Sequence, residues 1–164
     1  MKLRILLLLF LVFSLLSAAE TPTLILAAVK TYPAKVKLKE PGRWIRISDE
    51  NYLFLPSDSP RITVRSFQKV VIQDTRSPKI FAVPSGKSQL LETSAIFYLH
   101  PEDAKRFYEL TKKCAGQKIG CFINETFFCA PLVLAPISGG KAQIIGDFND
   151  EQMKLLRQIE KQKK

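Results

Sequence analysis

The sequence predicts an α+β fold: an antiparallel-rich sheet with two helices packed on one face, joined to a β-rich N-terminal half. Three observations carry the prediction. Residues 97–148 run through an apolar strand, a helix with an acidic start, a tight hairpin, a Gly-Gly turn and a last strand. A second amphipathic segment follows Asn149. Residues 20–91 are rich in β-branched and aromatic side chains, broken by Pro and polar turns.

The chain opens on Lys2 and Arg4, an apolar run over 5–16, and the small residues Ser17, Ala18 and Ala19 before Glu20. That is the layout of a secretory signal peptide at 1–19. The run is shorter than the roughly 20 residues that span a bilayer, which favours cleavage over an uncleaved anchor and predicts an exported protein, periplasmic or extracellular. No lipobox cysteine follows. Residues 20–164 suffice for one domain with a real core, made of a β-rich region at 20–91 and an α+β core at 92–164.

In the first region, runs at 23–29, 35–39, 44–47, 52–55 and 61–65 read as strands, with polar or Pro-bounded turns at 48–51 and 56–60. Residues 66–72 fit either a short helix capped by Ser66 or another strand. Residues 80–83 and 95–99 read as strands on either side of Pro84, Ser85 and Gly86. Whether these strands extend the core sheet or form a lobe beside it, periodicity does not choose.

Pro101 suits a first helical turn, where its missing N–H leaves nothing unpaired, and Glu102 and Asp103 lie beside the positive end of the helix dipole. Ala104, Phe107, Leu110, Thr111 and Cys114 recur at helical spacing and predict a buried face. Gly116 reads as a left-handed stop. Residues 119–123 and 126–130 flank Asn124 and Glu125 as a hairpin. Glu125 is not the Gly that a primed two-residue turn prefers, so loop length and register stay open. Gly139 and Gly140 are both expected in backbone conformations that a Cβ disfavours. At the end, Asn149 caps a helix with Gln152 three residues on, Asp150 and Glu151 occupy the first turn, and Met153, Leu156 and Ile159 form the apolar stripe.

The spaced residues Phe107, Leu110, Thr111, Gly116, Ala130, Pro131, Pro136, Ile137, Gly139, Gly140, Ala142, Ile144, Gly146 and Phe148 carry a family resemblance. The pattern resembles the head subdomain of the first periplasmic domain of SecD and SecDF, accessory subunits of bacterial protein export. His100 departs from the Ser or Thr expected as helix cap, Glu125 from a turn Gly, and Cys121 and Cys129 from ordinary strand residues. The family's transmembrane helices should follow this domain, whereas this sequence stops at Lys164, so their proton-driven work is not carried over. What the resemblance implies is a head-like α+β fold and a module outside the cytoplasm that engages emerging polypeptide.

Twenty-five Lys and Arg against 15 Asp and Glu give a net charge of +10, or +8 without Lys2 and Arg4. Outside the cytoplasm such a surface suits anionic lipid, acidic envelope polymers or acidic polypeptide, and nucleic acid is not expected. Lys35, Lys37 and Lys39 also fit the solvated face of a strand. Three cysteines allow at most one internal bridge. A two-residue turn puts position 121 opposite 128 and points Cys129 to the other face, so a 121–129 bridge needs a three-residue loop. Pairing of Cys114 with a sheet cysteine, or three buried thiols, are the alternatives. No structural zinc spacing is present. His100, the only histidine, reads as a capping or solvent-facing residue, and Ser138 with the two glycines lacks the Lys-Ser/Thr ending of a phosphate loop. Asn124 to Thr126 fits a glycosylation sequon that a bacterial resemblance makes incidental. No catalytic, cofactor-binding or metal-binding residue is nominated. The expected function is a non-catalytic envelope module that binds extended or unfolded polypeptide. Its rivals are an electrostatic binder of an anionic envelope component or membrane surface, and a small secreted enzyme or inhibitor.

Overall fold

Strand β1 (Leu24–Pro33) has partners along both edges, and the fold is built outward from it. The computed structural model describes residues 21–33, 41–74 and 93–161. After β1 come β2 (Gly42–Arg46), β3 (Asn51–Pro56), β4 (Arg61–Val64), β5 (Lys69–Asp74) and β6 (Thr93–Tyr98). Helix α1 (Pro101–Lys113), β7 (Lys118–Ile123), β8 (Thr126–Cys129), β9 (Lys141–Gly146) and α2 (Asp150–Lys161) complete the chain. The expectations for 1–19, 35–39 and 80–83 fall outside the described residues.

The β-rich half does not stand aside. All pairings between named strands are antiparallel, in two sheets: β2-β3-β1-β7-β8 with β4 also on β1, and β5-β6-β9. On one edge of β1, Leu24 to Ala27 face β4 and Lys30 to Pro33 face β3, while β7 runs along the other edge from Leu24 to Val29. A strand with neighbours on both edges and packed side chains on both faces has no room for polar residues, which explains its nearly unbroken apolar start. Residues 66–72, open from sequence alone, contribute to a strand, and Ser66 caps nothing there.

The main core lies between the sheets and the helices. Leu24 and Leu26 of β1, Ile119 and Ile123 of β7, Phe97 of β6 and Ile144 of β9 meet Phe107 and Leu110 of α1 and Met153, Leu156 and Ile159 of α2. On the other face of the first sheet, Ala27, Val29, Leu53 and Phe122 form a smaller cluster. Gly120 permits it: a Cβ there would lie 2.8 Å from the Phe122 ring and 2.9 Å from Val29.

The two helices start differently. Asn149 and Gln152 bond reciprocally, backbone N–H to side-chain oxygen, at 3.0 and 2.9 Å, and so cap α2 as the spacing predicts. His100 holds the N-cap position of α1 in extended conformation, yet its side chain makes no cap bond. Pro101, the first-turn acids and an Asp103–Arg106 pair at 2.9 Å mark that start instead. Gly116 takes φ +80°, as a left-handed stop requires.

The expectation for Gly139 is corrected. Only Gly140 lies in the left-handed region, at φ +61°, with Ala104 Cβ 3.2 Å from where its own Cβ would be. Gly139 has an ordinary φ and open space around it, because a single left-handed residue suffices to turn the chain into β9.

Candidate functional site

Strand β4 begins where Pro60 interrupts the hydrogen-bonding ladder. Pro60 has no N–H to give the Ala28 carbonyl, and the Ser59 hydroxyl donates to that oxygen in its place. Ala28 N–H donates to the Pro60 carbonyl at 3.0 Å, which sets the phase of the ladder. In that phase Ile62 and Val64 turn their backbone groups to β1, whereas Arg61 and Thr63 turn theirs outward. Among the described residues no strand pairs with this outward edge.

Helix α1 runs beside it, and a groove of about 360 Å³ lies between them. Pro60, Ile62 and Leu110 give the groove an apolar lining. Arg61, Lys105, Arg106 and Lys113 make it basic, against the one carboxylate of Glu109. Arg106 is paired with Asp103, and the Arg61 guanidinium donates to the Ser57 carbonyl. Lys105 and Lys113, two helical turns apart, have no ion pair among the described residues. The arrangement offers a row of backbone donors and acceptors, apolar contact and two uncommitted positive charges.

The other flank of α1 carries the segment between β8 and β9. Gly116 N–H donates to Val133 O at 2.8 Å, Val133 N–H to Gln117 O at 2.9 Å, and Ile137 N–H to Thr111 Oγ1 at 3.0 Å. Val133 is buried by these bonds, while Leu132 and Leu134 face outward, Leu134 with 84% of its surface exposed. A larger hollow of about 450 Å³ is lined in part by Thr21, Arg65 to Val70, His100 and Ile159. His100 is exposed in it.

The cysteines depart from the sequence reading. The hairpin does turn on two residues, Asn124 at φ 47° and Glu125 at φ 68°, so Glu125 accepts the conformation that usually selects Gly. A β-bulge then shifts the register between Cys121 and Phe122, so that Cys121 faces Cys129 rather than residue 128. Phe128 and Cys129 both pack toward the main core, where Cys121 also lies. All three thiols are unbridged, with Cys114 at the buried end of α1. Burial pushes the Cys114 thiol up, partly offset by Lys113. Among the described residues no group of three or more His, Cys, Asp or Glu is placed to hold a metal ion.

Sequence reasoning nominated none of the groove residues. Lys105, Glu109 and Lys113 at four-residue spacing showed a charged helix face, but nothing local tied that face to Arg61, more than forty positions earlier. Pro60 at the start of a strand was the available signal, since Pro is confined to strand starts, edges and bulges.

Fold and groove together define a two-sheet α+β module with an open basic strand edge. The family described as SecDF, P1 head subdomain, matches residues 76–159, more than half of the chain, and the protein belongs to that family. It thus carries a SecD-like head domain, a kind of domain that lies outside the cytoplasm. The structure of SecDF described as a membrane component that enhances protein export aligns with a TM-score of 0.52 at 16% identity. The alignment covers 85% of this chain and 62% of that one, and shows a shared fold. A second SecDF structure, in a super-membrane-facing form, aligns at a TM-score of 0.38 and 12% identity over 84% of this chain and 28% of that one. No curated protein matches the chain at a significant level. Among the described residues no helix is long and apolar enough to cross a membrane.

Proposed function

We propose that this protein is a non-catalytic polypeptide-binding module, exported behind the segment 1–19, and that it captures extended chain segments bearing acidic residues. The single observation that carries the reading is the outward edge of β4, unpaired at Arg61 and Thr63 among the described residues, beside a groove lined by Arg61, Lys105 and Lys113. An extended segment adds there as a further strand, held by main-chain hydrogen bonds that tolerate many sequences. The lysines favour acidic side chains, and Ile62 and Leu110 favour an apolar one.

The test is a fluorescence titration of the full chain with labelled extended peptides, acidic and basic, beside anionic vesicles. The acidic peptide is expected to bind at micromolar concentration and to remain intact. The double variant Lys105→Glu, Lys113→Glu should weaken it about tenfold. Hydrolysis of the peptide would mean an enzyme. Vesicle binding that collapses with salt, with no peptide bound at high micromolar concentration, would favour the electrostatic rival.

A further inference from the structure

Of the groups that the groove does not use, the facing thiols of β7 and β8 are the most constrained. Residues directly opposite in an antiparallel ladder have Cα atoms about 4.5 to 5.5 Å apart, inside the range a disulfide needs. Cys121 and Cys129 are such a pair. The bulge supplies the second requirement, because it brings Cys129 round to the core face on which Cys121 lies. In the reduced chain the Cys121 thiol donates to the Ile119 carbonyl on its own strand, at 3.9 Å, and no bridge holds the pair. We propose that Cys121 and Cys129 form a site of thiol–disulfide exchange, and that the exported protein carries them as a cross-strand disulfide with Cys114 left as a thiol.

The pair is asymmetric in a way that orders the steps. Cys129 is half-buried, and its thiol is held below the ordinary range by the neighbouring Cys121 and, against the opposing effect of burial, by the nearby Ile145 N–H. Cys121 is buried, and its thiol is pushed well up by the neighbouring Cys129 and by desolvation. Cys129 is therefore the attacking thiolate. It bonds to one sulfur of a small or protein disulfide oxidant, and the other oxidant sulfur leaves and takes up the proton lost from Cys129. Cys121 then attacks the Cys129 sulfur, and the remaining oxidant sulfur departs with the Cys121 proton. Two electrons and two protons pass to the oxidant, whose disulfide becomes two thiols. Cys114 lies at the end of α1 with its thiol raised by burial, which slows any attack from that position.

The experiment incubates the purified full chain with oxidised glutathione, blocks remaining thiols, and maps the peptides by mass. The expected product is lighter than the reduced chain by two hydrogen atoms, joins 121 to 129 and has its blocking group on Cys114. Cys129 should be alkylated faster than Cys121 in the reduced chain. Reduction should lower Tm by about 5 °C. Cys114→Ser should keep both the bridge and the reduction-dependent shift. A bridge through Cys114, or three blockable thiols after oxidation to equilibrium, overturns the proposal. The mapping needs no variant and no export, so its result is independent of peptide binding and of the cellular address.

Discussion

The two short edge strands that flank the β1–β7 pair, β4 and β8, are treated in opposite ways. Beyond β8, the Gln152 side-chain N–H donates to the Phe127 carbonyl at 2.9 Å, β9 packs alongside, and Phe128 meets the Phe148 ring at 5.3 Å. Beyond β4, among the described residues, the Arg61 and Thr63 backbone groups have no partner strand, and a groove lined by Arg61, Lys105 and Lys113 lies alongside. A strand edge left open invites another chain, and proteins usually blunt it. Here one edge is stitched to α2 and β9, while charge guards the other. Stability is therefore concentrated at β8, and the proposed recognition at β4.

Five variants break or sharpen that contrast. The largest effect belongs to Phe128→Ala, which empties a buried ring site against Phe148 and should cost about 3 kcal/mol in denaturant unfolding. Next comes Gln152→Ala. It removes the side-chain half of the cap, the oxygen that accepts from the Asn149 N–H, and the tie to Phe127, for about 1.5 kcal/mol by the same measurement. Gly140 delivers the chain into β9, the strand that closes off β8. Gly140→Ala should cost about 1 kcal/mol because its φ is +61°, and Gly139→Ala much less, so equal Tm shifts for the two would contradict the geometry. At the open edge, Lys105→Glu with Lys113→Glu should change unfolding free energy by less than about 0.5 kcal/mol while weakening the acidic peptide. A large loss of stability there would show that the lysines hold the fold together.

Much of this fold was legible because its signals are local. The capping residues Asn149 and Gln152, the apolar stripes of both helices, Gly116 and the hairpin around Asn124 each declare themselves within a few residues. The bulge beside Cys121 was not legible. Alternation by two assigns Cys121 and Cys129 to opposite faces, and one extra residue in β8 reverses that assignment without leaving a mark in the sequence. Gly139 misled because two adjacent glycines look alike until the backbone shows which one turns. The open edge was hidden for a different reason: which side of a strand lacks a partner depends on all its neighbours, and Thr63 carries no trace of it.

Strand β1 also has a consequence for how the chain reaches its native state. Leu24 pairs with Ile123, 99 positions later, and neighbouring rungs span similar distances. In a chain delivered N-terminus first, the apolar start of β1 therefore emerges long before the partner that covers one edge of it from Leu24 to Val29. Loop closure over such spans is slow, and an unmated apolar strand is prone to pair with the wrong neighbour in the meantime. The family match at 76–159 contains β7 but not β1, so an excised piece with those limits would keep β7 and lose the strand it was built against. Assembly of this head has to wait for both ends of the chain.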